Sequence, residues 1–318
     1  MPLDDRLGDL TLVQCTFTKA MPFAGTYFPL RTFYHDAMEI HPEPLICGYP
    51  DQWSAFQLRH ATFLQRLGHL KTALEVAFTR SYSSSSPEDR VIFTMGRLCA
   101  EDFWEIALLC ANGYGFGALK LLRSLYELAV TMAYLCDNPS EVDAFLNYHW
   151  IAQHRLLEAL KNSFGSGVLP EQVIEQTERE YAKHKEDYLV TICSKCDKKR
   201  VNHTWSKLDM VSMAKKTIFG ELIVPGYYEP MMHAHSTVNA IITRLEEING
   251  SIGFNPDSQP KEADRALMTA HHVILGVLDL QKKFFGLSVL NEPLQTCFQD
   301  FLDIWKEHRA KCQGLTVS

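Results

Sequence analysis

The sequence lacks the features that mark several large classes of protein. It has no window of about 18 uninterrupted apolar residues, and its amino terminus, MPLDDRLGDL, is acidic without an apolar signal segment. We therefore expect neither export nor membrane insertion. The 31 Lys and Arg stand against 38 Asp and Glu, so the net charge of −7 gives no overall attraction to a polyanion. Contact with nucleic acid would require a local basic patch.

Motifs of the common catalytic and cofactor sites are also missing. The chain contains no P-loop, no dinucleotide-binding glycine pattern, no nucleophile elbow and no HExxH. A carboxylate-bridged di-metal centre in a helical bundle uses Glu-x-x-His pairs, which the predicted core helices do not contain. We predict no metal and no cofactor.

The nine cysteines are an odd number without a recognisable disulfide framework, which indicates reduced thiols and a cytoplasmic location. Cys193 and Cys196 form a single CxxC, with His184 and His203 as conceivable further zinc ligands. Structural zinc sites usually have a second close pair, so we interpret the spacing as chance or as part of an inert loop. The same loop is rich in Lys and Arg, which fits either a solvated loop or a patch for a phosphate-bearing partner.

Apolar residues recur at three- and four-residue intervals over most of the chain after Trp53, the pattern of amphipathic helices. Ser86 and Pro87 are a helix start, and the strongly apolar LLRSLYELAVTMAYL indicates a helix at the centre of a bundle. We predict eight or nine helices in an all-α, multi-helix bundle. Residues 51–318 would form a single α-helical domain, and residues 1–50, rich in Pro, Gly and aromatics, an extended and irregular N-terminal arm.

The central helix carries two charges, Arg123 and Glu127, four residues apart and therefore on one face. One interpretation is a structural ion pair that fixes the helix register. The other is a site in which Arg123 binds a phosphate and Glu127 orients a histidine. His235 is the candidate histidine, a general acid or base with Ser236 or Tyr228 as hydrogen-bond partner, although a histidine packed in the core is the alternative.

These residues carry a resemblance. The helix LLRSLYELAVTMAYLCDNP, the later WSKL and a Tyr before a His-Ser pair resemble an uncharacterised bacterial helical family that is grouped with the HEPN-like proteins. The resemblance covers about residues 93–242. It matches the family pattern at Arg123, Glu127, Trp205, Tyr227, His235 and Ser236. Met231 is a departure, because the family usually has a Ser between the Tyr and the His.

The resemblance implies an interaction or effector component with an HEPN-like core, in the context of bacterial defence against phage, and a polar site at Arg123, Glu127, His235 and Tyr228. RNA or a protein would be the partner, and a homodimer the assembly. The alternative is a metal-independent ribonuclease with Arg and His at a helical cleft. Ribonucleases of that group use an Arg followed after four to six residues by a His. Arg179 with His184, and Arg265 with His271 or His272, have this spacing, which chance also produces.

Overall fold

The computed structural model describes residues 49–80, 86–165, 167, 169–193, 195–235, 237–248, 251–254 and 258–314, with side chains as far as His308. The predicted N-terminal arm therefore lies almost wholly outside the described residues. The same holds for the serine run at 81–85 and for Ser236.

The described residues form eleven α-helices and two small two-stranded sheets, which confirms the predicted all-α bundle. The α-helices are α1 (Pro50–Arg59), α2 (Ala61–Phe78), α3 (Pro87–Ala111), α4 (Gly115–Asp137), α5 (Val142–Phe164), α6 (Glu171–His184), α7 (Met210–Ala214), α8 (Glu229–Ala234), α9 (Val238–Ile242), α10 (Pro260–Phe285) and α11 (Asn291–Gly314). Turns of 3-10 helix lie at Pro139–Glu141, Lys185–Tyr188, Gly220–Leu222 and Ser288–Leu290, and a π-helical turn lies at Val224–Tyr228. Among these helices, none has the length and apolar content that crossing a membrane demands.

The strands form two antiparallel hairpins. They are β1 (Leu189–Cys193) with β2 (Lys198–Val201), and β3 (Leu245–Ile248) with β4 (Ser251–Phe254). The sequence predicted neither hairpin, and the loop predicted after Cys193 is wrong for residues 198–201. β2 consists of Lys-Lys-Arg-Val, which has no apolar alternation to mark it as a strand.

The chain divides into two compact units. The small unit comprises Glu141–Lys207, and the large unit the described residues of Ile46–Ser140 and Leu208–Ser318. The single domain predicted for residues 51–318 stays a prediction.

In the small unit, α5 and α6 pack side by side, and the β1–β2 hairpin follows them. The Tyr188 hydroxyl donates to the Ala144 carbonyl at 2.6 Å, and Trp205 packs edge-on against Phe145 with ring centroids 5.5 Å apart. These contacts attach both ends of the hairpin to α5.

The core of the large unit is built around α4, which packs against α3, α8 and α10. Most of the side chains of α4 are buried, and several are fully inaccessible, including Leu122, Leu125, Ala129 and Val130. The central position predicted from its apolar surface is therefore confirmed. Ser86 also caps α3 as predicted, since its hydroxyl accepts from the Asp89 amide.

The periodic apolar segment that begins near Trp53 is divided in the structure at His60. This residue separates α1 from α2, and its backbone angles (φ −110°, ψ 25°) are outside the helical range. The break turns a buried imidazole toward α10 and α11.

Residues 219–228 are fixed against α4 by one aromatic side chain. The Tyr126 ring is fully buried, and its hydroxyl donates to the Phe219 carbonyl at 2.9 Å. Gly226, in the π-helical turn, lies directly on this ring, because a Cβ at Gly226 would stand only 2.8 Å from Tyr126 Cγ. The approach is possible only without a side chain at residue 226.

We expect Gly226→Ala to lower the free energy of unfolding by about 1–3 kcal/mol, the usual cost of an added methyl in a filled core. Gly68→Ala is the control. Gly68 is exposed in α2 with open space around it, so alanine there should raise the free energy of unfolding by about 0.5–1 kcal/mol. Urea unfolding of the two variants beside the parent measures both values. Equal stability of Gly226→Ala and the parent would contradict the close contact.

Candidate functional site

Arg123 and Glu127 lie on the solvent-facing edge of α4. Lys120, Arg123, Ser124 and Glu127 recur every three or four residues and form one stripe, whereas the other faces of the helix are packed. Arg123 Nε donates to Glu127 Oε1 at 2.7 Å. The side chains keep 20% and 36% of their exposure, so the ion pair is open to water.

His235 reaches this pair from a part of the chain 112 residues away. It follows α8 in an extended conformation (φ −110°, ψ 164°), and its exposed side chain meets the Arg123 guanidinium, Nη1 to Nε2. Arginine can only donate hydrogen bonds, so Nε2 is the acceptor and its lone pair points at Nη1. This contact requires the neutral imidazole with its proton on Nδ1.

The third neighbour of Arg123 is an aromatic ring. Arg123 Cζ stands 5.0 Å from the centroid of the Tyr227 ring, a cation–π distance. Tyr228, the tyrosine chosen from the sequence, instead packs edge-on against Tyr227 and is 44% exposed. The structure thus brings together Arg123, Glu127 and His235 of the predicted set, with Tyr227 in contact and Tyr228 one ring further out.

His233, two residues before His235, has surroundings unlike those of His235. It is buried against Phe116, with ring centroids 4.7 Å apart, and burial, helped by the charge of Arg244, lowers the pKa of its imidazole. The outer face of Phe116 is covered by the Arg244 guanidinium, 4.1 Å from the ring centroid. His233 is a packed histidine, and only His235 of this pair belongs to the exposed cluster.

A model of a family of unknown function, DUF5677, matches residues 89–252, just over half of the chain. The chain belongs to this family. No curated protein and no solved structure shows significant similarity to the chain. The matched range contains the core of about 93–242 predicted from the sequence, together with Arg123, Glu127, Tyr227 and His235. The family description names no activity, so HEPN-like character, bacterial origin and defence stay predictions.

The Arg-to-His spacings noted in the sequence lie one in each unit. In the small unit, the side chain of Arg179 is 70% exposed and its Nε stands 3.5 Å from Glu180 Oε1. His184 Nε2 stands 3.8 Å from Glu180 Oε2, so Arg179 and His184 share one carboxylate. In the large unit, Arg265 is exposed, whereas His271 is buried and accepts a hydrogen bond from Trp305 Nε1 at 3.2 Å.

The CxxC pair lies at the β1–β2 turn of the small unit. A hydrogen bond from Cys196 lowers the pKa of the Cys193 thiol, and both are free thiols. Among the described residues, no third His, Cys, Asp or Glu joins them at metal-ligand distance. The basic side chains of β2 are exposed, as the solvated-loop interpretation also requires.

The buried His271 predicts a pH dependence of stability. Burial lowers the pKa of this imidazole from 6.5 to about 4. The unfolded chain therefore takes up a proton that the folded chain does not, and stability falls as the pH drops from 6.5 to about 4. This difference in pKa corresponds to a loss of about 3 kcal/mol in the free energy of unfolding from His271 alone. Unfolding by urea at several pH values measures the decline.

The variant His271→Gln isolates this contribution, because glutamine does not titrate and still offers an acceptor to Trp305. Its stability should decline less than that of the parent between pH 6.5 and 4. Parallel profiles for parent and variant would show that His271 does not supply the dependence.

Proposed function

We propose that the exposed cluster of Arg123, Glu127 and His235 binds a phosphodiester of RNA and cleaves it without a metal ion. The observation that carries the proposal is the contact between the His235 imidazole and the Arg123 guanidinium on a face open to water. A cation that matches phosphate oxygens thereby stands beside a histidine, the residue type that most often acts as a general acid or base.

The division of the guanidinium donors suggests how a phosphate enters. Glu127 holds Nε and fixes the plane of the group, so it is a positioning residue. Among the described residues, the other hydrogen-bond partner of the Arg123 guanidinium is His235, which contacts Nη1. A phosphate that takes the Nη edge displaces His235 from Nη1 and leaves the Nε2 lone pair free to accept a proton.

That arrangement fits attack by the ribose 2′-hydroxyl on the adjacent phosphorus. His235 Nε2 accepts the hydroxyl proton, and Arg123 stabilises the charge that develops on the non-bridging oxygens. The new bond joins the 2′ oxygen to phosphorus, the bond to the 5′ oxygen breaks, and water protonates that oxygen. The products are a 2′,3′-cyclic phosphate and a free 5′-hydroxyl. DNA lacks the nucleophile and would bind without being cleaved.

A second function is favoured by the Arg123–Glu127 ion pair itself, which already neutralises the arginine. On this proposal the chain is a non-catalytic interaction component that binds RNA or a protein, alone or as a homodimer. The resemblance to HEPN-like proteins suggests bacterial defence for either function. A cytoplasmic location, as proposed from the sequence, suits both.

We expect purified protein to cleave single-stranded RNA and to leave 2′-O-methyl RNA and DNA of the same sequence intact. His235→Ala should lower the cleavage rate about 10²–10⁴-fold, the usual contribution of a general base. Arg123→Ala should lower cleavage and weaken binding, and Arg123→Lys should restore part of the binding only, because lysine lacks the planar fork. Gel analysis of end-labelled RNA and fluorescence anisotropy measure the two effects.

His203→Ala, on an exposed histidine of the small unit, is the matched control and should cleave like the parent. His184→Ala tests the alternative Arg179 spacing. Loss of activity in His184→Ala with full activity in His235→Ala would move the site away from Arg123. RNA binding that depends on Arg123 without any cleavage would leave the non-catalytic function, and neither binding nor cleavage would refute the ribonuclease.

A further inference from the structure

Two histidines and an aspartate from three separate helical regions converge in the large unit. His60 stands at the break between α1 and α2, Asp264 is in the second turn of α10, and His308 is in α11. His60 Nε2 lies 2.7 Å from Asp264 Oδ1, and His308 Nε2 lies 3.2 Å from Asp264 Oδ2. We propose that these three side chains bind a zinc ion, which ties α11 to α10 and to the α1–α2 junction.

The geometry meets the requirements of a zinc site. Zinc binds imidazole nitrogen and carboxylate oxygen at about 2.0–2.2 Å, so neighbouring ligand atoms of a tetrahedral site stand about 3.3–3.6 Å apart. One ligand atom from each of the three side chains can be chosen so that all lie within 4.8 Å of one another. Both imidazoles present Nε2 to the same carboxylate, and their rings stack with centroids 5.0 Å apart. Small side-chain adjustments would bring the three atoms around one ion.

The three side chains are largely enclosed. The side chains of His60, Asp264 and His308 are 1%, 16% and 12% exposed, so access is restricted. Arg59 Nε donates to Asp264 Oδ1 at 3.1 Å and orients the carboxylate from outside the ligand set.

Asp300, in the same unit, is a useful comparison because it has only one histidine partner among the described residues. Asp300 pairs with Arg66 at 3.0 Å and with one histidine, His69, at 2.7 Å. Asp264 has an equivalent arginine and histidine and gains a second histidine from α11. The second imidazole completes three protein ligands, the number found in zinc sites whose fourth position is open to water.

The proposed zinc site is independent of the proposed function. All three ligands lie outside residues 89–252, the region that the family model matches. The expected role is stabilisation of the large unit, since an ion that binds only the folded chain raises its stability by mass action.

The test uses untagged full-length protein that has been treated with chelator and dialysed. Isothermal titration with ZnCl₂ should give one zinc per chain, and zinc should raise the Tm by several degrees, reversibly with EDTA. His308→Gln should bind at least ten-fold more weakly and show no zinc-dependent rise in Tm. His308 lies in the last two turns of α11, and glutamine can replace its hydrogen bond to Asp264, so this variant should still fold, which circular dichroism checks.

Two controls keep the outcome specific. His69→Asn removes the histidine from the comparable Asp300 cluster and should bind zinc like the parent. A Cys193→Ser, Cys196→Ser double variant should also retain the site. Absence of zinc binding by the parent, equal binding by His308→Gln, or loss of binding in the cysteine variant would each overturn the proposal.

Discussion

The contact between Gly226 and the Tyr126 ring determines how closely the π-helical turn approaches α4, and the cluster around Arg123 inherits that distance. Tyr126 directly precedes Glu127, and Gly226 directly precedes Tyr227. The buried, uncharged contact between Tyr126 and Gly226 therefore lies one residue before Glu127 and one residue before Tyr227, both of which touch Arg123. Because packed cores change in discrete steps rather than by continuous deformation, such a contact holds the aromatic ring against the guanidinium more firmly than the exposed ion pair could.

Part of the candidate site follows from helical periodicity alone. The spacing of four residues predicts that Arg123 and Glu127 share a face, and the apolar residues around them predict which helix is central. The partner His235 does not follow in the same way, because its contact with Arg123 joins residues 112 apart and depends on the packing of α8 on α4. Residue type and the family resemblance both select His235 from the sequence, but neither fixes its distance from Arg123.

The choice between Tyr227 and Tyr228 shows a second limit. Adjacent residues on a helix point about 100° apart, so a regular helix counted from a known start would assign one of them to the α4 side. The π-helical turn at Val224–Tyr228 adds a residue to the turn and shifts that assignment, and nothing in the letters VPGYY announces it. Signals for the β3–β4 hairpin did exist, since Asn249 and Gly250 stand between the strands and form a dipeptide typical of two-residue hairpins. The charged β2 offered no such signal.

On the proposed function, the way Arg123 divides its donors separates binding from chemistry. Glu127 occupies Nε and does not compete with a ligand on the Nη edge, whereas His235 occupies Nη1 and must leave when a phosphate arrives. Any phosphodiester pays the same cost of displacing His235, so recognition at Arg123 does not distinguish RNA from DNA. The distinction arises afterwards, when the freed Nε2 finds a 2′-hydroxyl within reach or finds none. A cluster with one histidine and one fixed arginine would thus distinguish RNA from DNA by the presence of the 2′-hydroxyl and not by binding strength. The net charge of −7 agrees with this, because it provides no general affinity for nucleic acid.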